Sequence, residues 1–229
     1  MTTHPNQSGS ILVYILIAVA LFAALGYSVS QMMRGGGEHI GQEKTGIYVS
    51  DLLDYTKNIR GAVQMLRISN DCEEDELSFE RNPFDGSDTD YVNPNAPSDF
   101  SCHIFHPLGG GAAPSNTLET INGGAPWYIT AQNTIPDIGD PSSSELLLIL
   151  PNLNKSLCLA VNDRLGVTNP ANDAPIDTNG IDNTPFIGTY SATEEISTSA
   201  LIGAKPTGCI KDTSSTPNTY HLFQVLLAR

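Results

Sequence analysis

The sequence predicts an α+β chain: an N-terminal transmembrane helix, then an amphipathic helix packed on an antiparallel β-sheet domain with long loops. Three observations predict this. Residues 11–29, ILVYILIAVALFAALGYSV, are nineteen residues without a charge, and no Asp, Glu, Lys or Arg precedes Arg34. As a helix that run is roughly 28 Å long, close to the ~30 Å hydrocarbon core of a bilayer. Next comes a single apolar stripe at helical spacing, and after it a series of short strand-like runs separated by Pro, Asn and Gly.

Of the 229 residues, those beyond Gly37 suffice for one domain with a real core. All 25 Asp and Glu lie in that part. So acidic a surface excludes nucleic acid as a partner, because phosphate binding needs clustered Lys and Arg. Four cysteines, Cys72, Cys102, Cys158 and Cys209, contain no C-x-x-C pair, which removes zinc-ribbon and thioredoxin-type sites. Widely spaced cysteines in even number point to two disulfides in an oxidising compartment. Three pairings are possible, and sequence order favours Cys72–Cys102 with Cys158–Cys209, since each pair brackets one coherent region. Four buried thiols in a reducing compartment is the other reading.

Residues 1–10 form a polar leader or disordered tail containing Pro5 and Gly9. Without a basic n-region or an A-x-A-like site, the apolar run is expected to be a retained anchor, not a cleaved signal. The membrane helix is expected over 11–33, with Ala20, Ala23, Ala24 and Gly26 as small residues that let partner helices approach. Arg34 on its C-terminal side would place that side in the cytoplasm. The paired cysteines argue for an exported domain and weigh more than one arginine. Gly35, Gly36 and Gly37 are expected to break or loosen the helix.

An amphipathic helix is expected over 38–69. Tyr48, Leu52, Tyr55, Ile59, Val63 and Leu66 make its stripe, and Asp51, Asp54, Lys57, Arg60 and Arg67 occupy other faces. The soluble, disulfide-containing α+β domain is expected over 70–229. It opens on an acidic loop in which nine Asp and Glu between positions 70 and 90 face only Arg81. A short strand is expected over 101–111, running into Gly109, Gly110 and Gly111, and another over 127–130 after an Asn122-Gly123-Gly124 turn. Residues 145–150, ELLLIL, read as a buried strand closed by Pro151. Asn154 is placed to cap a helix with Leu157, Val161 and Leu165 on one face and Gly166 as its stop. Residues 186–190 read as a short strand. The chain closes with a hairpin of 208–211 and 220–228, whose second strand is apolar on both faces and therefore central or covered.

Chemistry is hard to find. Two acidic turns, Asp85 to Asp90 and Asp177 to Gly180, contain hard oxygen ligands, but Arg81 and Pro175 would fall at position one of an EF-hand loop. Cys102, His103 and His106 do not converge if 101–106 is a strand. No G-x-S-x-G, H-E-x-x-H, G-x-G-x-x-G or Walker pattern occurs, so no catalytic, cofactor or metal residue is expected, and the chain is not expected to be an enzyme.

The polar leader ending at Gly9, the uncharged helix entered at Ser10, the amphipathic continuation and the cysteine-closed domain resemble the type IV pilin and pseudopilin class of bacterial proteins. That resemblance implies cleavage between Gly9 and Ser10 by a prepilin peptidase. It also implies a single-pass inner-membrane anchor, a periplasmic domain, and other envelope subunits as partners through the N-terminal helix. The chain differs from the family at four points: its leader has no Lys or Arg, Ser10 replaces the usual phenylalanine, Tyr14 stands where a glutamate is usual, and Gly35, Gly36 and Gly37 are expected to interrupt the long continuous helix of the family. These differences imply a minor or divergent subunit of a pilus or secretion apparatus. The competing expectation is a bitopic envelope protein whose soluble domain binds a protein or glycan partner.

Overall fold

The computed structural model describes residues 10–81, 90–115, 119–196, 202 and 204–229, with side chains in the first helix at 13–25, 27 and from 43 onward. Helix α1 runs Ser10–Ser69. Its backbone stays helical through Gly35, Gly36 and Gly37, so the expected division into helices at 11–33 and 38–69 is corrected. Each glycine costs a helix about 1 kcal/mol relative to alanine, yet it retains its N–H and reaches helical dihedrals, so the ladder is weakened without being ended. The chain separates into two compact units, Met1–Ile47 and Tyr48–Arg229. The second unit takes in the part of α1 from Tyr48 onward together with the rest of the chain.

In the first unit, every described side chain from 13 to 25 is exposed, including Phe22 at 76% and Tyr14 at 69%. Among the described residues no helix is long and apolar enough to cross a membrane.

In the second unit, the α1 stripe behaves as its spacing predicts. Of that stripe, Leu52, Ile59, Val63 and Leu66 are buried and Tyr48 and Tyr55 are half-buried against the core, with Val49 and Leu53 buried beside them, whereas Ile68, on the opposite side, is 84% exposed. The strands are β1 (Tyr128–Thr134), β2 (Glu145–Leu150), β3 (Ile176–Asp177), β4 (Glu194–Glu195), β5 (Thr207–Asp212) and β6 (Thr219–Leu227). They form one sheet in the order β3-β5-β6-β2-β1-β4. The four central strands pair antiparallel. The two outermost strands, β3 on β5 and β4 on β1, pair parallel, so the expected antiparallel sheet is a mixed one. Each parallel strand is two residues long, too short to leave a periodic signal in sequence.

β2 shows why a continuous apolar run means a central strand. Leu146, Leu148 and Leu150 join the core that contains α1, and Leu147 and Ile149 join a second core on the other face with Ile135, Ile196, Ile210 and Phe223. β6 lies between β5 and β2, the central place its two apolar faces predict.

Helix α2 (Glu119–Asn122) precedes β1, and α3 (Lys155–Leu165) lies in the first core through Leu157, Cys158 and Val161. Gly166 ends α3 in the left-handed region at φ 65°, and Val167 N–H donates to Asn162 O. Asn154 starts α3 without a side-chain cap, and its side-chain amide N–H donates to Thr120 O at 2.7 Å. Residues 186–190 form no strand. They continue as a segment bonded along β1, with Phe186 N–H donating to Ile129 O and Ser191 N–H to Ala131 O. The expected strand at 101–111 is a series of turns with one bridge between Ser78 and His103. A side chain at Gly109 or Gly110 would run into the carbonyls of His103 and Ile104, so these glycines serve close backbone approach.

Two positions in the last turns of α1 test this packing. Leu66→Ala, at a site with no exposed surface, is expected to cost about 2–5 kcal/mol in urea unfolding. Ile68→Ala is expected to stay within about 0.5 kcal/mol of the parent. Equal effects would contradict the burial pattern.

Candidate functional site

The four cysteines are brought together in pairs. Cys72–Cys102 joins the end of α1 to the 101–111 turns, with Cα atoms 5.8 Å apart, and Cys158–Cys209 joins α3 to β5 at 5.4 Å. No free cysteine is present. Asn162 reinforces the second link, donating to Cys209 O at 2.9 Å and accepting from Cys209 N–H at 2.8 Å. Ser10 is the first residue of α1, while Gly9 and residues 85–89 lie outside the described residues.

His103 and His106 do not form a chelate with Cys102, which is spent in its disulfide. Phe100 stacks on the His106 ring with centroids 4.4 Å apart and meets His103 edge-on at 5.0 Å. Burial pushes His103 below the ordinary histidine range, and His106 adds to this. The Asp177 carboxylate is turned onto its own loop, accepting from Gly180 N–H at 3.0 Å. Among the described residues no three His, Cys, Asp or Glu side chains are grouped to hold a metal.

The feature with chemical possibilities is a cleft of about 540 Å³ in the second unit. Tyr128 opens it from β1, Asp212 from β5, and Thr219 and His221 from β6. Asn152 and Asn183 enter from the loops beyond β2 and β3. The β5–β6 register sets Asp212 opposite Thr219 and Ile210 opposite His221, so the acid and the imidazole meet on a diagonal. His221 Nε2 lies 2.7 Å from Thr219 Oγ1 and 3.9 Å from Asp212 Oδ2, while its buried Nδ1 has no partner. A nucleophile relay needs its hydroxyl and carboxylate on opposite ring nitrogens. Here both face Nε2, and burial pushes the imidazole below its ordinary pKa despite Asp212 and Asp177.

Burial, with Tyr91, Asp212 and Asp182 close by, raises the Tyr128 phenol far above its usual value. The Arg81 guanidinium is engaged at the cleft edge: it donates to Trp127 O at 2.5 Å and lies 5.6 Å over the Tyr91 ring. The cleft is thus a neutral-to-acidic cavity of hydroxyl, amide and carboxylate groups. None of these residues stands out as a site in the sequence. The hairpin register was the available signal, because it pairs Asp212 with Thr219 and sets His221 two residues further along.

A second titratable group lies at the start of β2. Glu145 is fully buried, with Oε2 accepting from Ile135 N–H at 2.8 Å and Oε1 without a partner. Burial raises its carboxyl from 4.5 to about 7. A raised acid binds its proton more tightly folded than unfolded, so its contribution is fully present below about pH 4.5 and is lost as pH rises through about 7. Thermal unfolding of Glu145→Gln against the parent is expected to show a gain in midpoint at pH 8 that shrinks at pH 5. A gain independent of pH would contradict the buried acid. No protein-family model, curated protein or solved structure matches the chain.

Proposed function

We propose that the chain is a membrane-anchored, pilin-like or pseudopilin-like structural subunit, of minor type, in a bacterial pilus or secretion apparatus. Its role is assembly, not catalysis. The N-terminal helix is its transmembrane anchor in the inner membrane and its contact to other envelope subunits, and the domain from residue 48 faces the periplasm.

One observation carries this reading: α1 changes its use along its length. From 48 to 66 it buries one stripe in the domain core, as a surface helix of a globular protein does. From 13 to 25 its apolar side chains are exposed on every side, with Val13, Ile15, Leu16, Phe22 and Leu25 all above half. A helix apolar all round is stable only when lipid or other apolar helices cover it. Two disulfides without a free thiol support an oxidising compartment for the domain. An uncharged Tyr14 in place of the usual glutamate supports a minor subunit, since it offers no carboxylate for registering neighbours.

N-terminal sequencing and intact mass of the membrane-extracted protein test the proposal. The expected outcome is loss of residues 1–9 with Ser10 as the new terminus, and retention of the leader in a Gly9→Leu variant. An intact N-terminus in the parent protein favours the bitopic envelope protein instead.

A further inference from the structure

We infer that the cleft framed by Tyr128, Asn152, Asn183, Asp212, Thr219 and His221 is a binding site for a neutral saccharide. The inference stands on the cleft alone and does not depend on how the N-terminal helix is used.

Its volume of about 540 Å³ lies within the range of small-ligand sites. Its polar groups are the planar kind that recognises vicinal hydroxyls, since an amide offers a donor beside an acceptor and a carboxylate offers two acceptors. Several of them are uncommitted. Asn152 and Asn183 are exposed, and neither their side chains nor the Tyr128 hydroxyl makes a hydrogen bond among the described residues. Asp212 uses Oδ1 for Ser214 N–H at 2.8 Å, and its Oδ2 is beyond hydrogen-bond distance of His221 at 3.9 Å. The same cleft is lined by the Tyr128 ring, which packs against the second core, and by Pro126 and Pro185. Flat apolar surface beside polar groups suits a pyranose, which has a C–H face and a hydroxyl rim.

The other ligand classes fit less well. An anion would find the one arginine of the wall engaged with Trp127 O and Tyr91, a histidine kept neutral by burial, and the Asp212 carboxylate opposing it. An apolar ligand would strip water from amides and a hydroxyl that it cannot pair. A saccharide pairs them.

The test uses the full chain in a zwitterionic, sugar-free detergent, titrated with chitobiose, lactose and maltose and followed by saturation-transfer difference NMR. At least one disaccharide is expected to give a saturable signal. Its affinity is expected to fall at least about fivefold in Tyr128→Phe and in Asn183→Ala, the equivalent of one lost hydrogen bond each. Near-UV circular dichroism should match the parent in both variants. Asn183 lies on an exposed loop, so its variant decides the matter should Tyr128→Phe fold poorly. The inference is overturned if none of the three sugars saturates by about 10 mM, an affinity of roughly 3 kcal/mol. It is equally overturned if binding is unchanged in Asn183→Ala, or if a lysine-rich peptide binds where the sugars do not.

Discussion

The burial of one stripe of α1 in the domain core is the constraint on which the second unit depends. Leu52, Leu53, Ile59, Val63 and Leu66 share that core with Leu146, Leu148 and Leu150 of β2 and with Leu157 and Val161 of α3. Each fully buried side chain of this kind contributes about 1.5–3 kcal/mol, so the helix supplies a large part of the apolar surface that the sheet needs on that face. Tyr55 adds a ring contact to Trp127 at 5.1 Å and accepts from Ser115 N–H, which ties the entry to β1 to the same helix. Remove the stripe and the four central strands lose the cover on one side.

Cross-links hold what burial alone does not. The long polar segments between the strands contribute few apolar residues, and the disulfides anchor them at both ends of the domain. Cys72–Cys102 fixes the 101–111 turns to the end of α1, and Cys158–Cys209 with Asn162 fixes α3 to β5. Polar clamps complete the frame. Glu74 receives both Arg67 from α1 at 2.7 Å and Arg229 at 2.8 Å, and the Arg229 guanidinium lies 4.1 Å over the Tyr190 ring. Asp173 gathers Lys155, Lys211 and Tyr220 from α3, β5 and β6, which holds its carboxyl down at about 2 despite partial burial.

Elements whose signal is local were legible in the sequence. The ELLLIL run became β2 without a residue's error, Gly166 stops α3 as expected, and the last strand is central because both of its faces are apolar. The pairing that sequence order favours is the pairing observed. What escaped depends on distant partners. β3 and β4 exist only because β5 and β1 offer them two residues of edge, and their sequences carry no alternation. The 101–111 region has strand-like composition but folds into turns, because Gly109 and Gly110 allow the chain to lie against its own carbonyls. The cleft escaped for the same reason: Tyr128, Asn183 and His221 are far apart in sequence and meet only through the sheet order.

The two units place different demands on one helix. The second uses it as a core element, while the first exposes apolar side chains that water cannot cover favourably. The central claim is that this first stretch is held in a membrane while the domain stays in water. Alkaline carbonate extraction of membranes from cells producing the full chain tests it most directly. The account predicts that the protein stays in the sedimented membranes with residues 13–25 intact, and that deleting 11–29 releases the domain to the supernatant. Release of the unaltered chain by carbonate would contradict it.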